Sequence, residues 1–125
     1  IFDSTGKRVL GFGGRILEET QQPEFEQPKY LNSPESLVFQ KKSVLFGLQL
    51  AKEEPSSESS KNVVLVEGYM DAVALHSVGV TGVVASMGTA VSPEQLLSAS
   101  QAASRRGGSL ILCMDSDDAG LQAVD

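Results

Sequence analysis

Val63-Val64-Leu65-Val66 is an unbroken apolar run that stops at Glu67-Gly68-Tyr69-Met70-Asp71. Apolar residues without polar alternation are what a strand buried on both faces requires. Gly68 permits a turn out of that strand. Met70, Val73, Ala74 and Val78 then fall on one helical face, and Gly79 ends the predicted helix. The pattern repeats downstream. Gly82-Val83-Val84-Ala85-Ser86-Met87 reads as a second strand, and Leu110-Ile111-Leu112-Cys113-Met114 as a third. Between them Ser92 caps a helix with Pro93 at its first position and Gln95 completing a capping box. That helix closes on Arg105-Arg106-Gly107, cations at the negative end of the dipole followed by a glycine stop. A further helix is expected from Ala119 onward. Strands and helices alternating at this spacing predict an α/β fold, a parallel sheet flanked by helices.

Upstream the signals are mixed. Residues 8–17 read as one or two strands bent at Gly11, Gly13 and Gly14, residues 43–52 as a helix, and Ser33-Pro34 as the start of a shorter turn. Two stretches interrupt this part, residues 18–27 rich in Glu and Gln and residues 53–60 rich in Glu and Ser. Neither can bury apolar surface, so both are predicted to be exposed loops or insertions. The expected division is 1–61, part of a mixed α+β unit carrying these insertions, and 62–125, the α/β domain.

Composition narrows the chemistry. The chain has 125 residues, 41% apolar and 21% charged, enough for one core. Cys113 is the only cysteine and His76 the only histidine, which rules out an internal disulfide and nearly rules out a structural zinc site. No apolar run approaches the ~20 residues of a membrane helix, so no membrane partner is expected. The chain lacks an initiator Met and breaks off as a helical pattern begins, so it reads as a fragment. Net charge is −6, yet basic residues gather in the first half at Lys7, Arg8, Arg15, Lys29, Lys41 and Lys42. Acids gather in the second half at Glu67, Asp71, Asp115, Asp117 and Asp118. A basic ridge facing an acidic pocket is one arrangement this permits, and a solvated mixture is the other.

In parallel sheets ligands sit outside the carboxyl ends of the strands. Two of those ends here carry several carboxylates and no base. Such a cluster repels itself until a hard divalent cation relieves it, and Mg²⁺ suits one or two carboxylates plus phosphate oxygens. Asp115 and Asp117, two apart in extended chain, project the same way, and Asp71 sits in the first helical turn after Glu67. That set suits metal-assisted phosphoryl transfer. An Asp-x-Asp can also merely cap the next helix, a role Asp118 fits well. Cys113 and Met114 are expected in the core, and His76 is expected to be solvated or satisfied locally rather than catalytic. Competing motifs fail: Gly11-Phe12-Gly13-Gly14 lacks the third glycine of a dinucleotide fingerprint, Ala119 breaks a calcium loop, and no Gly-Lys-Ser/Thr loop exists.

Glu67-Gly68-Tyr69-Met70-Asp71 followed by Asp115-Ser116-Asp117 resembles the Toprim domain of primases, topoisomerases and some nucleases. Val9-Leu10-Gly11-Phe12-Gly13-Gly14-Arg15, Pro28-Lys29-Tyr30-Leu31-Asn32-Ser33-Pro34-Glu35 and Phe39-Gln40-Lys41 resemble the catalytic core of bacterial-type (DnaG) DNA primases. The resemblance implies a Toprim fold, a Rossmann-like parallel sheet with flanking helices, preceded by part of the primase N-terminal subdomain. It implies Mg²⁺-dependent (or Mn²⁺-dependent) synthesis of short RNA primers for DNA replication by a DNA-directed RNA polymerase. Glu67, Asp115 and Asp117 would be metal ligands, Asp71 a further catalytic acid, and Arg15, Lys29, Asn32 and Lys41 contacts to template or nucleotide phosphates. Glu67 is open to a role as general base as well as ligand, and Tyr30 to base stacking as well as a core role. Implied partners are single-stranded DNA template, nucleoside triphosphates and, through a region absent here, the replicative helicase. Zinc belongs only to a module absent from this chain, and a further acidic motif of the family is also absent. The expected setting is bacterial cytoplasm and nucleoid; the acidic insertions also raise a plastid or mitochondrial descendant. A Toprim nuclease or topoisomerase, with Tyr30 or Tyr69 as the catalytic tyrosine, and a non-catalytic nucleic-acid-binding Toprim module are the alternatives.

Overall fold

The computed structural model describes residues 1–16, 28–88 and 90–115. The first acidic stretch, Asp117, Asp118 and the helix expected after Ala119 lie outside the described residues. Elements run β1 (Gly13–Arg15), β2 (Tyr30–Asn32), α1 (Leu48–Ala51), β3 (Val63–Val66), α2 (Tyr69–Ser77), β4 (Val83–Ala85), α3 (Pro93–Arg106) and β5 (Leu110–Cys113). A short 3₁₀ turn, Glu58–Ser60, precedes β3.

The Val-rich run becomes the central strand of a three-stranded parallel sheet in the order β4-β3-β5. Strand alternation sends its side chains to two layers. Leu65 and Val84 pack with Leu45, Leu48, Ala51, Ala99, Ala102 and Ala103 beneath α1 and α3. Val66, Val83 and Ala85 pack with Ala72, Phe46, Tyr69 and Leu75 beneath α2. Separately, β1 and β2 form a two-stranded antiparallel ribbon in which Gly13 faces Asn32 and Arg15 faces Tyr30.

The capping box forms as the sequence predicts. Ser92 Oγ accepts from the Gln95 amide at 3.1 Å, and Gln95 Oε1 accepts from the Ser92 amide at 3.0 Å. Gln95 is fully buried because its amide nitrogen also donates to the Lys41 and Val44 carbonyls at 2.9 and 2.8 Å. The box thus binds the start of α3 to the segment ahead of α1, beyond satisfying orphan helix amides.

Four local expectations are corrected. The helix expected over residues 43–52 shrinks to Leu48–Ala51. Phe46 instead exchanges backbone hydrogen bonds with Ala85 at 2.9 and 3.0 Å, extending the sheet beside β4. Gly47 then turns the chain at φ 79°, with the Val83 carbonyl 2.7 Å from where a Cβ would stand. On α2 the buried face is Tyr69, Ala72 and Leu75, while Val73 and Val78 are exposed. Two interleaved i, i+3 sets were available on that helix, and the smaller side chain at residue 72 allows the closer approach to the sheet. Cys113 is exposed rather than in the core, because β5 has a described strand partner on one side only. Finally, Arg106 does more than complement the α3 dipole. Its guanidinium is buried and donates to the carbonyls of Ala51, Glu53 and Ser60. His76 is satisfied locally as expected, its Nε2 lying 3.1 Å from the Val83 carbonyl oxygen.

Candidate active site

The ends of β3 and β5 lie side by side, with Val66 paired to Cys113. That register brings the acids following each strand together. The Asp115 amide donates to Glu67 Oε1 at 3.2 Å. Glu67 is held from the other side as well: buried Ser86, just past β4, donates its hydroxyl to the Glu67 carbonyl at 3.0 Å. Asp71 comes back over the loop, its Oδ2 only 2.7 Å from where a Cβ on Gly68 would be. A larger residue at position 68 would push that carboxylate away.

Glu67, Asp71 and Asp115 line one cavity of about 290 Å³. The ribbon contributes Tyr30 and Asn32 to its lining, and Tyr69, Met87 and Gly88 are among the other residues around it. Arg15 and Lys29 stand over the Tyr30 ring, 5.7 and 5.8 Å from its centroid. Two cations on one aromatic are within cation–π range, and they set positive charge beside the acidic wall. The Asn32 side-chain oxygen is buried without a hydrogen-bond partner. Such an orphaned polar atom is rare, and here it belongs to a residue of the cavity lining.

The structure thus brings together Glu67, Asp71, Asp115 and Asn32 around one cavity; Arg15 and Lys29 are not among its lining residues and reach it only through the Tyr30 ring they stand over. Lys41 is not among the lining residues; its amide donates to Glu35 Oε1 at 3.0 Å, and its carbonyl receives Gln95. Asp117 lies outside the described residues. Among the described residues no three of His, Cys, Asp and Glu close around a point. The two acids that adjoin are hard oxygen donors on an open cavity, and no His or Cys lines it, so the donor set fits a hard divalent ion completed by a third acid.

Sequence reasoning missed the part played by Tyr69 and Gly13. The Tyr69 hydroxyl donates to the Gly14 carbonyl at 3.1 Å, and its ring meets Tyr30 edge-on at 6.0 Å and Phe46 at 5.9 Å. A Cβ on Gly13 would stand 3.0 Å from the ring. The glycine run that fails as a dinucleotide fingerprint therefore serves a close backbone approach. Burial, with a smaller contribution from Tyr30, pushes the Tyr69 phenol above the ordinary tyrosine range. The available signal was a tyrosine directly after the strand-ending Glu-Gly, opposite a glycine-rich strand.

A parallel sheet with acids meeting at the carboxyl ends of adjacent strands, facing a basic ribbon, defines an α/β domain of the Toprim class. Residues 61–125 match the Toprim domain family and residues 1–52 match the N-terminal domain of the DNA primase catalytic core. A DNA primase of Legionella pneumophila is 43% identical over 99% of this chain, which spans 19% of that relative. A DNA primase domain from Pseudomonas aeruginosa superposes with a TM-score of 0.72 at 40% identity, over 99% of this chain and 35% of that one. The DnaG primase catalytic domain bound to single-stranded DNA gives a TM-score of 0.76 at 38% identity, over 99% and 35%. The chain belongs to the Toprim family, in its group of DnaG-type DNA primase catalytic cores. It spans about a fifth of the length of the curated relatives it matches.

Proposed function

We propose that this chain carries the nucleotidyl-transfer centre of a DNA primase, a DNA-directed RNA polymerase that makes short RNA primers on single-stranded DNA. The observation that carries this reading is the Asp115 amide on the Glu67 carboxylate at a cavity to which the ribbon contributes Tyr30 and Asn32, with Arg15 and Lys29 over the Tyr30 ring. Residues 1–61 supply the basic side and residues 62–125 the acidic side.

Glu67, Asp115 and Asp117 would hold Mg²⁺ or Mn²⁺, which when bound supplies charge neutralisation for the nucleoside triphosphate and lowers the pKa of an attacking hydroxyl. Arg15 and Lys29, held over the Tyr30 ring, would grip phosphates, and Asn32 in the cavity lining would contact the ligand. Glu67 would accept the proton of a primer 3′-hydroxyl as that oxygen bonds to the α-phosphate and pyrophosphate leaves. Asp71, folded over Gly68, keeps the acidic wall continuous. Lys41 lies away from the cavity and serves the template path rather than the reacting phosphates. Single-stranded template, nucleoside triphosphates and a replicative helicase engaged through another part of the protein are the proposed partners. The proposed setting is the bacterial cytoplasm and nucleoid, or an organelle that inherited this replication machinery.

The deciding experiment is a primer-synthesis assay on the full-length protein with Mg²⁺, ribonucleotides and single-stranded template. Ribonucleotide primers are expected; nicking of DNA without synthesis would move the chain to the nuclease branch. Phosphate contacts also leave a salt signature. Lys29→Ala should weaken binding of a single-stranded oligonucleotide at low salt and flatten the log–log salt dependence by about 0.7, the slope for one phosphate contact on a single strand. Identical slopes for the variant and the parent would remove Lys29 from the phosphate-binding set.

A further inference from the structure

The basic ribbon and the acidic wall belong to separate sheets, and Tyr69 joins them directly. It opens α2, two residues after Glu67, while its hydroxyl reaches across 55 positions to the Gly14 carbonyl. The neighbouring residue, Arg15, carries one of the two cations held over the ring of Tyr30, itself a lining residue of the cavity. Gly13 provides the space for this approach, since a Cβ there would press on the ring at 3.0 Å and on the hydroxyl at 3.2 Å. Phe46 backs the ring from the sheet side, so α2 and the ribbon meet through an aromatic wedge with one polar tip.

We propose that Tyr69 is a positioning residue whose hydrogen bond to the Gly14 carbonyl sets the distance between the phosphate-gripping ribbon and the acids at the ends of β3 and β5. The joint stands on geometry alone; only what the ribbon grips rests on the primase reading. Without the hydroxyl, the ribbon loses its only direct polar tie to α2 among the described residues, while Glu67 keeps its contacts to Ser86 and Asp115. Binding of phosphates should therefore suffer more than the chemical step. A group that aids ground state and transition state alike shows this split, with KM rising and kcat preserved.

The test uses Tyr69→Phe in the full-length protein, which keeps the ring and removes only the hydroxyl. KM for the nucleotide should rise about 5- to 10-fold with kcat within about 2-fold. Gly13→Ala, which crowds the same ring, should show the same split. The double variant should be little worse than either single, as expected of two changes acting through one contact. Amide hydrogen exchange supplies a readout free of turnover: the ribbon, residues 12–16 and 29–33, should exchange faster in Tyr69→Phe while β3 and β4 keep their protection. Unchanged ribbon exchange, or a fall in kcat at constant KM, would overturn the proposal. A wild-type protein that makes no primers would instead overturn the primase reading, and the exchange result would still decide the joint.

Discussion

Glu67→Gln should reduce primer synthesis by about 10²- to 10⁴-fold without loosening the fold. The substitution separates charge from shape. Glutamine retains an oxygen at the position that now accepts the Asp115 amide at 3.2 Å, and the tie from Ser86 runs to the backbone of residue 67 and is untouched. What disappears is the negative charge at the wall of the cavity, and with it the hard ligand and proton acceptor proposed for the site. A bound divalent ion contributes several kcal/mol of transition-state stabilisation, and each 1.4 kcal/mol is tenfold in rate. The measurement is steady-state primer synthesis on single-stranded template across a Mg²⁺ titration, alongside the thermal midpoint. An Asp115→Ala/Asp117→Ala double variant should fall comparably. Adding Glu67→Gln to it should cost little more, since residues acting as one unit are grossly non-additive. More than a tenth of normal synthesis in Glu67→Gln, at an unchanged midpoint, would remove this carboxylate from the reacting centre.

Arg106→Met should be the most destabilising single change in the described part of the chain, by about 3–5 kcal/mol. The guanidinium is 5% exposed and spans three carbonyls, Ala51 at 3.3 Å, Glu53 at 2.6 Å and Ser60, with Thr81 Oγ1 at 3.4 Å. These groups come from the end of α1, the 3₁₀ turn and the loop before β4, so one side chain terminates three segments at once. Methionine fills much of the volume and leaves the carbonyls without donors, at about 1–3 kcal/mol for each buried group. Arg106→Lys should recover only part of the loss, because an ammonium cannot reproduce the planar fork. Chemical denaturation of the purified protein reads both variants. A loss below about 1 kcal/mol for Arg106→Met would mean that water replaces the guanidinium at those carbonyls.

How much of this was legible in the sequence follows from how local each cause is. The strand from Val63 to Val66 matches its expected bounds because burial on both faces writes itself as an unbroken apolar run. The capping box at Ser92 and Gln95 was legible because it spans four residues and one helical turn. The pairing of Glu67 with Asp115 followed once both stood at the ends of neighbouring parallel strands. The misread elements depend on partners far along the chain. Residues 43–47 have helical spacing, but the exchange of hydrogen bonds between Phe46 and Ala85 outweighs that preference. Arg106 looks like an ordinary helix-ending cation, and nothing nearby reveals that Ala51, Glu53 and Ser60 present their carbonyls to it. The α2 face was misassigned because Val73 and Val78 are more apolar than Ala72, yet only the small residue fits beneath the helix. The joint role of Tyr69 and Gly13 was not legible for the same reason: it exists only once the ribbon lies across α2.

The antiparallel bridge between Phe46 and Ala85 has a practical side. It occupies the main-chain groups of Ala85 on the outer border of β4, so within the three-stranded sheet the described strand with an open border is β5. On β5, Ile111 and Leu112 are 44% and 37% exposed beside the free thiol of Cys113. Self-association of this polypeptide in the test tube would begin at that border. A thiol-reactive fluorophore on Cys113 would register its onset, and Ile111→Lys would raise the solubility of the isolated chain.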